Sequence, residues 1–120
     1  MEQLLNAKPM PTAVMCSNDM TAIGVLHGVY RAGLRVPDDL SVIGFDDIHI
    51  AAVTIPPLTT IQMSRFELAH SAFAALRSQV EESKHSPQKR EYNIRTDLVV
   101  RESTDFPRGA MTHLHKAKQV

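Results

Sequence analysis

The sequence predicts an α/β fold built on parallel strands, and three observations carry that expectation. Two apolar runs, TAVMC (12–16) and LSVIGF (40–45), flank a helical segment, so the connection between them is too long for a hairpin. Both runs are apolar throughout rather than alternating, the pattern of strands covered by helices on both faces. Both also end in polar clusters, Ser17, Asn18 and Asp19 in the first case and Asp46 and Asp47 in the second. Open α/β sheets place their ligand crevice at the carboxyl ends of such strands.

The elements follow in order. Residues 2–7 read as the tail of a helix, cut short by Pro9 and Pro11. TAVMC suits a short buried strand. Ser17, Asn18 and Asp19 are good capping residues for a helix over about 20–32, and Gly33 is placed to end it in the left-handed region. RVPDD is a turn, LSVIGF a second strand, and IHIAAV (48–53) a helical turn or two that IPPL breaks. LTTIQM (58–63), rich in β-branched residues, reads as a third strand. In 65–82, Phe66, Ala69, Phe73, Leu76 and Val80 recur at alternating three- and four-residue spacings, one apolar stripe of a long amphipathic helix. SKHSPQKR (83–90) is polar and contains Pro87, a surface loop. EYNIRTDLVVRES (91–103) holds one or two strands, and from Asp105 onward the sequence reads as a polar, mobile tail.

A chain of 120 residues is long enough for one ordinary core. With 13 basic and 13 acidic residues there is no electrostatic footprint for nucleic acid or an anionic membrane. A lone cysteine, Cys16, forms no internal disulfide and points to a reducing, cytoplasmic setting; in an apolar strand it reads as packing, not as a nucleophile. The opening MEQLLNAKPMP has no basic n-region and no long apolar stretch, so neither a signal peptide nor a transmembrane helix is expected. G-x-S-x-G, P-loop and G-x-G-x-x-G motifs do not occur, and no cofactor is expected. His113 and His115 flank Leu114 without a nearby cysteine or carboxylate, so they read as solvated tail residues rather than metal ligands. His27 reads as a helix-surface or interface residue, and Arg108, Lys116 and Lys118 as a solvated basic end.

The strand-end clusters are the candidate site. A carboxylate there offers two acceptor oxygens to neighbouring hydroxyls, and an asparagine adds both a donor and an acceptor. Aspartate and asparagine also stand at strand-to-helix turns simply because they cap helices. On that ground Asp19 and Asp47 are read as structural caps, and Asp46 stays open between cap and ligand contact. The helix over 20–32 carries two apolar stripes, Ala22, Val25 and Val29 on one and Ile23, Leu26 and Tyr30 on the other. One stripe packs on the sheet; the other meets either a further part of the chain or a second subunit.

The ordered set PTAVMCSNDMTAIGVLHGVYRAGLRVPDDLSVIGFDD, IPPLTTI and LVVRES resembles the C-terminal part of the effector-binding core of LacI/GalR-type transcriptional regulators, over roughly residues 9–104. The resemblance implies a periplasmic-binding-protein-like fold: two α/β subdomains around a cleft that takes a sugar, a sugar phosphate or a purine. Residues 1–104 would then be part of that domain, crossing to the other subdomain near 61–64 and returning near 96–100, with 105–120 as the tail. It further implies that Asp46 and Asn18 contact the effector, and that Ile23 and Thr54 lie in a homodimer interface. Operator DNA would be bound only through a helix-turn-helix domain absent from these 120 residues. The chain would hold incomplete pieces of both subdomains, as a truncated or frameshifted product would. Two positions depart from the family pattern: Met63 stands where many relatives carry a polar residue, with Gln62 beside it, and Ala69 where a glycine is often found. Two rivals remain, a periplasmic sugar-binding transport receptor of the same fold and an enzyme using Asp46 and Asp47 as an acid pair with Mg²⁺.

Overall fold

The computed structural model describes residues 2–81 and 91–107. The loop expected at 83–90 and the histidines at 113 and 115 lie outside the described residues. The chain divides into two compact units: one runs to Gln62 and resumes at Leu98, and the other lies between, from Met63 to Asp97.

The first unit begins with a short helix, α1 (Glu2–Leu5), followed by β1 (Ala13–Met15), α2 (Asp19–Arg31), β2 (Ser41–Phe45) and a 3-10 helix (His49–Val53). The strands β3 (Thr59–Met63) and β4 (Thr96–Val99) follow along the chain, and the sheet order is β1-β2-β3-β4. β1, β2 and β3 are parallel, with Met15 opposite Ile43 and Phe45 opposite Ile61. Only one strand forms within 91–103.

The core gathers Cys16, Ala22, Leu26, Val29, Leu40, Val42, Ala51 and Leu58. α2 turns Ala22, Leu26 and Val29 inward, one residue per turn, which is what a helix lying on a sheet requires. Val25 is partly buried against the same cluster, whereas Tyr30 points outward. β1 is not the buried strand its composition predicts. It is three residues long, stands at the sheet edge, and leaves Ala13 and Met15 exposed. An edge strand has a neighbour on one side only, so its burial is set by topology rather than by its own apolar content.

The ends of α2 follow from local chemistry. Asn18 is the N-cap, its Oδ1 accepting from the Thr21 N–H at 2.8 Å. At the other end Gly33 adopts φ +72°. Its N–H donates to the Tyr30 carbonyl at 3.0 Å and that of Leu34 to the Val29 carbonyl at 3.1 Å. This crossed pair satisfies the last carbonyls and needs a residue without a Cβ at the left-handed position.

Residues 101–105 lie along the starts of β2 and β3. The fully buried Ser103 accepts from the Thr59 N–H at 2.8 Å and donates to the Val42 carbonyl at 2.6 Å. Its own carbonyl accepts from the Val42 N–H at 2.8 Å. Asp105, where the tail was expected to begin, is instead tied to Ser41: its N–H donates to Ser41 Oγ at 3.1 Å, and that hydroxyl donates to its carbonyl at 3.2 Å.

In the second unit, α3 (Arg65–Glu81) begins at Ser64, whose Oγ accepts from the Glu67 N–H at 3.2 Å. The helix forms as its periodicity predicts, yet it buries none of its residues, and Phe66, Phe73, Leu76 and Val80 are all exposed.

Candidate functional site

Because β1 and β2 run parallel with Met15 opposite Ile43, Asn18, three residues past Met15, and Asp46, three residues past Ile43 and the first beyond the end of β2, stand at matching positions. The sheet therefore brings the two predicted ligand residues to the same edge. Asn18 is half-buried and spends its Oδ1 on capping α2, while its NH₂ has no protein partner among the described residues. The Asp46 side chain is exposed, and no hydrogen bond or ion pair engages its carboxylate among the described residues. The backbone there is unusual: φ is +108° at Asp46 and +49° at Asp47. Positive φ is costly for residues with a Cβ and persists only where the surroundings hold it. One such hold is the Asp46 N–H, which donates to the Ile61 carbonyl at 2.9 Å.

Asp19 and Asp47 do not play the roles of simple caps. Asp19 is fully buried in the first turn of α2, but Asn18 caps that helix. The Asp19 carboxylate reaches across the fold instead. Its Oδ2 accepts from the Ile48 N–H at 2.9 Å, and its Oδ1 from the Thr60 hydroxyl at 2.5 Å. Three elements, α2, β3 and the segment leading into the 3-10 helix, meet on one side chain. Gly44 makes room for it: a Cβ there would run into Asp19 Oδ1 and stand 2.9 Å from Leu58 Cδ2.

Asp47 was expected to cap the segment after it. Ile48 holds that position, with no side-chain cap. The left-handed backbone turns the Asp47 carboxylate toward β3 and the 101–105 segment. Its Oδ1 pairs with Arg101 Nη2 at 2.6 Å and its Oδ2 accepts from Gln62 Nε2 at 2.7 Å. Arg101 is itself anchored, with Nη1 donating to the Leu58 carbonyl at 2.8 Å and its N–H to Thr59 Oγ1 at 2.9 Å. Sequence reasoning missed Arg101 and Thr60. Their partners lie 54 and 41 residues away, and no local pattern reports such pairs. One signal was present, since a lone glycine inside a strand marks a close approach, and Gly44 is that glycine.

Burial pushes the Cys16 thiol pKa up from its ordinary value, consistent with packing in the core. Among the described residues no three histidine, cysteine, aspartate or glutamate side chains gather as a metal site would require. None of the described helices is long and apolar enough to cross a membrane.

A separate feature lies on the outer face of α2. Ile23, Leu26, His27 and Tyr30 form an open groove of about 440 Å³ with Thr54 and Ile55. Tyr30 is 81% and Ile55 95% exposed. The groove contains both residues expected at a dimer interface, and neither Asn18 nor Asp46 lines it.

A parallel α/β sheet with polar residues gathered beyond its strand ends is an open-sheet architecture, the class whose ligand crevices lie at that end of the strands. Comparison with known sequences makes this specific. The periplasmic binding protein-like domain matches residues 1–104, and the chain belongs to that family, among the LacI/GalR-type transcriptional regulators. The HTH-type transcriptional repressor PurR of Haemophilus influenzae is 38% identical over 104 residues, covering 86% of this chain and 31% of the repressor. A LacI transcriptional regulator from Bacillus cereus subsp. cytotoxis superposes with a TM-score of 0.76 at 28% identity, covering 87% of this chain and 36% of that one. A LacI family regulator from Lactobacillus casei with bound sucrose superposes with a TM-score of 0.65 at 28% identity, covering 86% and 38%. The chain thus spans about a third of the length of the relatives it matches.

Proposed function

We propose that this chain is part of the effector-sensing core of a LacI/GalR-type regulator and that Asp46 and Asn18 help to bind a sugar, a sugar phosphate or a purine. The observation that carries the reading is the Asp46 carboxylate, exposed at the end of β2, free of protein partners among the described residues and set on a left-handed backbone. A side chain in that position costs conformational energy without stabilising the fold through its own bonds, as expected of a group kept for a ligand. The sucrose bound to the Lactobacillus casei regulator supports a polyhydroxyl class of ligand.

In this reading the complete protein is a cytoplasmic homodimer without a catalytic role or a cofactor. The α2 groove with Ile23 and Thr54 is the dimer surface, since its exposed Tyr30 and Ile55 gain most from a second copy. Operator DNA is read by a helix-turn-helix domain outside this chain. Effector binding shifts DNA affinity only through a difference in its affinity for the two arrangements of the core, typically about 1–3 kcal/mol of coupling.

Sequencing the transcript upstream of the Met1 codon tests the assignment. An in-frame helix-turn-helix coding segment is expected. A secretory signal sequence there would instead identify a transport receptor, and a specific, salt-resistant operator complex of the 120-residue chain alone would overturn the assignment of DNA reading to a missing domain.

A further inference from the structure

We propose that Arg101 and Gln62 are positioning residues for Asp46: by holding both carboxylate oxygens of Asp47, they keep the Asp46–Asp47 turn in its left-handed conformation. Asp46 has no side-chain bond of its own among the described residues, so the direction of its carboxylate is set by the backbone beneath it. That backbone carries two successive positive φ angles at residues with a Cβ. Such a turn relaxes unless its neighbours over-determine it. The backbone bonds alone are a modest constraint. The Asp46 N–H bond to Ile61 is short at 2.9 Å, but that of the Asp47 N–H to Thr60 Oγ1 is long at 3.4 Å.

The side-chain clamp is stronger. The Asp47 and Arg101 side chains are only 13% and 20% exposed, so their 2.6 Å ion pair is shielded from solvent screening. The guanidinium cannot follow Asp47 freely, because its other terminal nitrogen, Nη1, is bound to the Leu58 carbonyl. Gln62 engages the second oxygen at 2.7 Å, so both carboxylate oxygens have a partner.

The chain positions of the two clamp residues add a consequence. Gln62 is the last residue of the first unit before the chain leaves it, and Arg101 follows closely on the return at Leu98. The turn that presents Asp46 is therefore anchored to both segments by which the chain leaves and re-enters this unit. A shift of either segment would be felt at Asp46, and occupancy of Asp46 at either segment.

The inference rests on the reading of Asp46 as a ligand group, but its test contains no ligand. The φ-dependent HN–Hα couplings of Asp46 and Asp47 are measured by NMR in the 120-residue chain and in Arg101→Met, Arg101→Lys and Asp47→Asn, with thermal midpoints alongside. The expected result is a rise of the Asp46 coupling, which is small at φ +108°, toward the averaged value in Arg101→Met and Asp47→Asn, with partial return in Arg101→Lys. If Arg101→Met fails to fold, the other two variants decide. Native couplings in all folded variants, whatever happens to the midpoints, would reduce the clamp to a general structural tie and overturn the proposal. Failure of the ligand reading shows separately, as unchanged effector affinity on Asp46→Asn in the complete regulator.

Discussion

Replacing Asp19 by alanine removes a fully buried carboxylate that accepts from two donors, the Ile48 N–H at 2.9 Å and the Thr60 hydroxyl at 2.5 Å. Hydrogen bonds to a charged acceptor contribute about 1.5–3 kcal/mol each, which sets an upper sum near 6 kcal/mol. The Thr60 hydroxyl can rotate, but the Ile48 N–H is fixed by the backbone and stays unsatisfied. The expected loss for Asp19→Ala is therefore ~3–5 kcal/mol, in line with breaking a buried charged interaction from one side. Asp19→Asn keeps the shape. Its amide oxygen accepts from Ile48, and its NH₂ donates to Thr60 Oγ1, which can accept. The charge assistance is lost and the Thr60 O–H gives up its acceptor, together about 1–2 kcal/mol. Urea unfolding followed by far-UV circular dichroism separates the two. With a slope of about 1–3 kcal/mol per molar, a loss of ~4 kcal/mol lowers the midpoint by more than about 1 M. Equal losses below about 1 kcal/mol for both variants would refute the view that Asp19 ties three elements together.

The same tie makes Gly44→Ala costly: the new Cβ meets Asp19 Oδ1 and Leu58 Cδ2, and a stability loss of ~1–3 kcal/mol is expected in the same urea assay. Cys16 should be alkylated far more slowly by iodoacetamide at pH 8 in the folded chain than in urea, because burial raises its pKa and closes access. The sign of the linked effect follows: this contribution to stability is full below the ordinary thiol pKa and is lost as pH rises through the folded value. Ile55→Asp, at a 95% exposed position in the α2 groove, should leave the unfolding free energy within about 0.5 kcal/mol of wild type while reducing self-association in sedimentation velocity. Unchanged association would move the dimer surface elsewhere.

Much of the fold was legible because its signals are local. The capping triplet before α2, Gly33 after it and the β-branched run of β3 each act within a few residues, and each element formed where expected. What stayed hidden was which polar residue does what. Ser17, Asn18 and Asp19 are all good caps, and sequence alone did not show that Asn18 would cap while Asp19 turned inward to partners 29 and 41 residues away. The role of Asp47 was missed for the same reason, since it depends on Arg101, which arrives only after the chain has left and returned. Burial was misjudged where topology decides it: β1 is apolar yet exposed at the edge, and α3 carries a clear apolar stripe that none of the described residues of its unit buries. Asp46 was singled out by its place at a strand end, but its left-handed backbone was not foreseeable from an aspartate in a run of two.

The most direct test of the account is the effector affinity of the complete regulator with and without Asp46→Asn, measured by isothermal titration calorimetry after a screen of sugars, sugar phosphates and purines. The account predicts a loss of about tenfold or more, equivalent to ~1.4 kcal/mol, with the thermal midpoint unchanged because the carboxylate bonds nothing in the fold. An unchanged affinity with a lowered midpoint would make Asp46 a structural residue and contradict the proposed site.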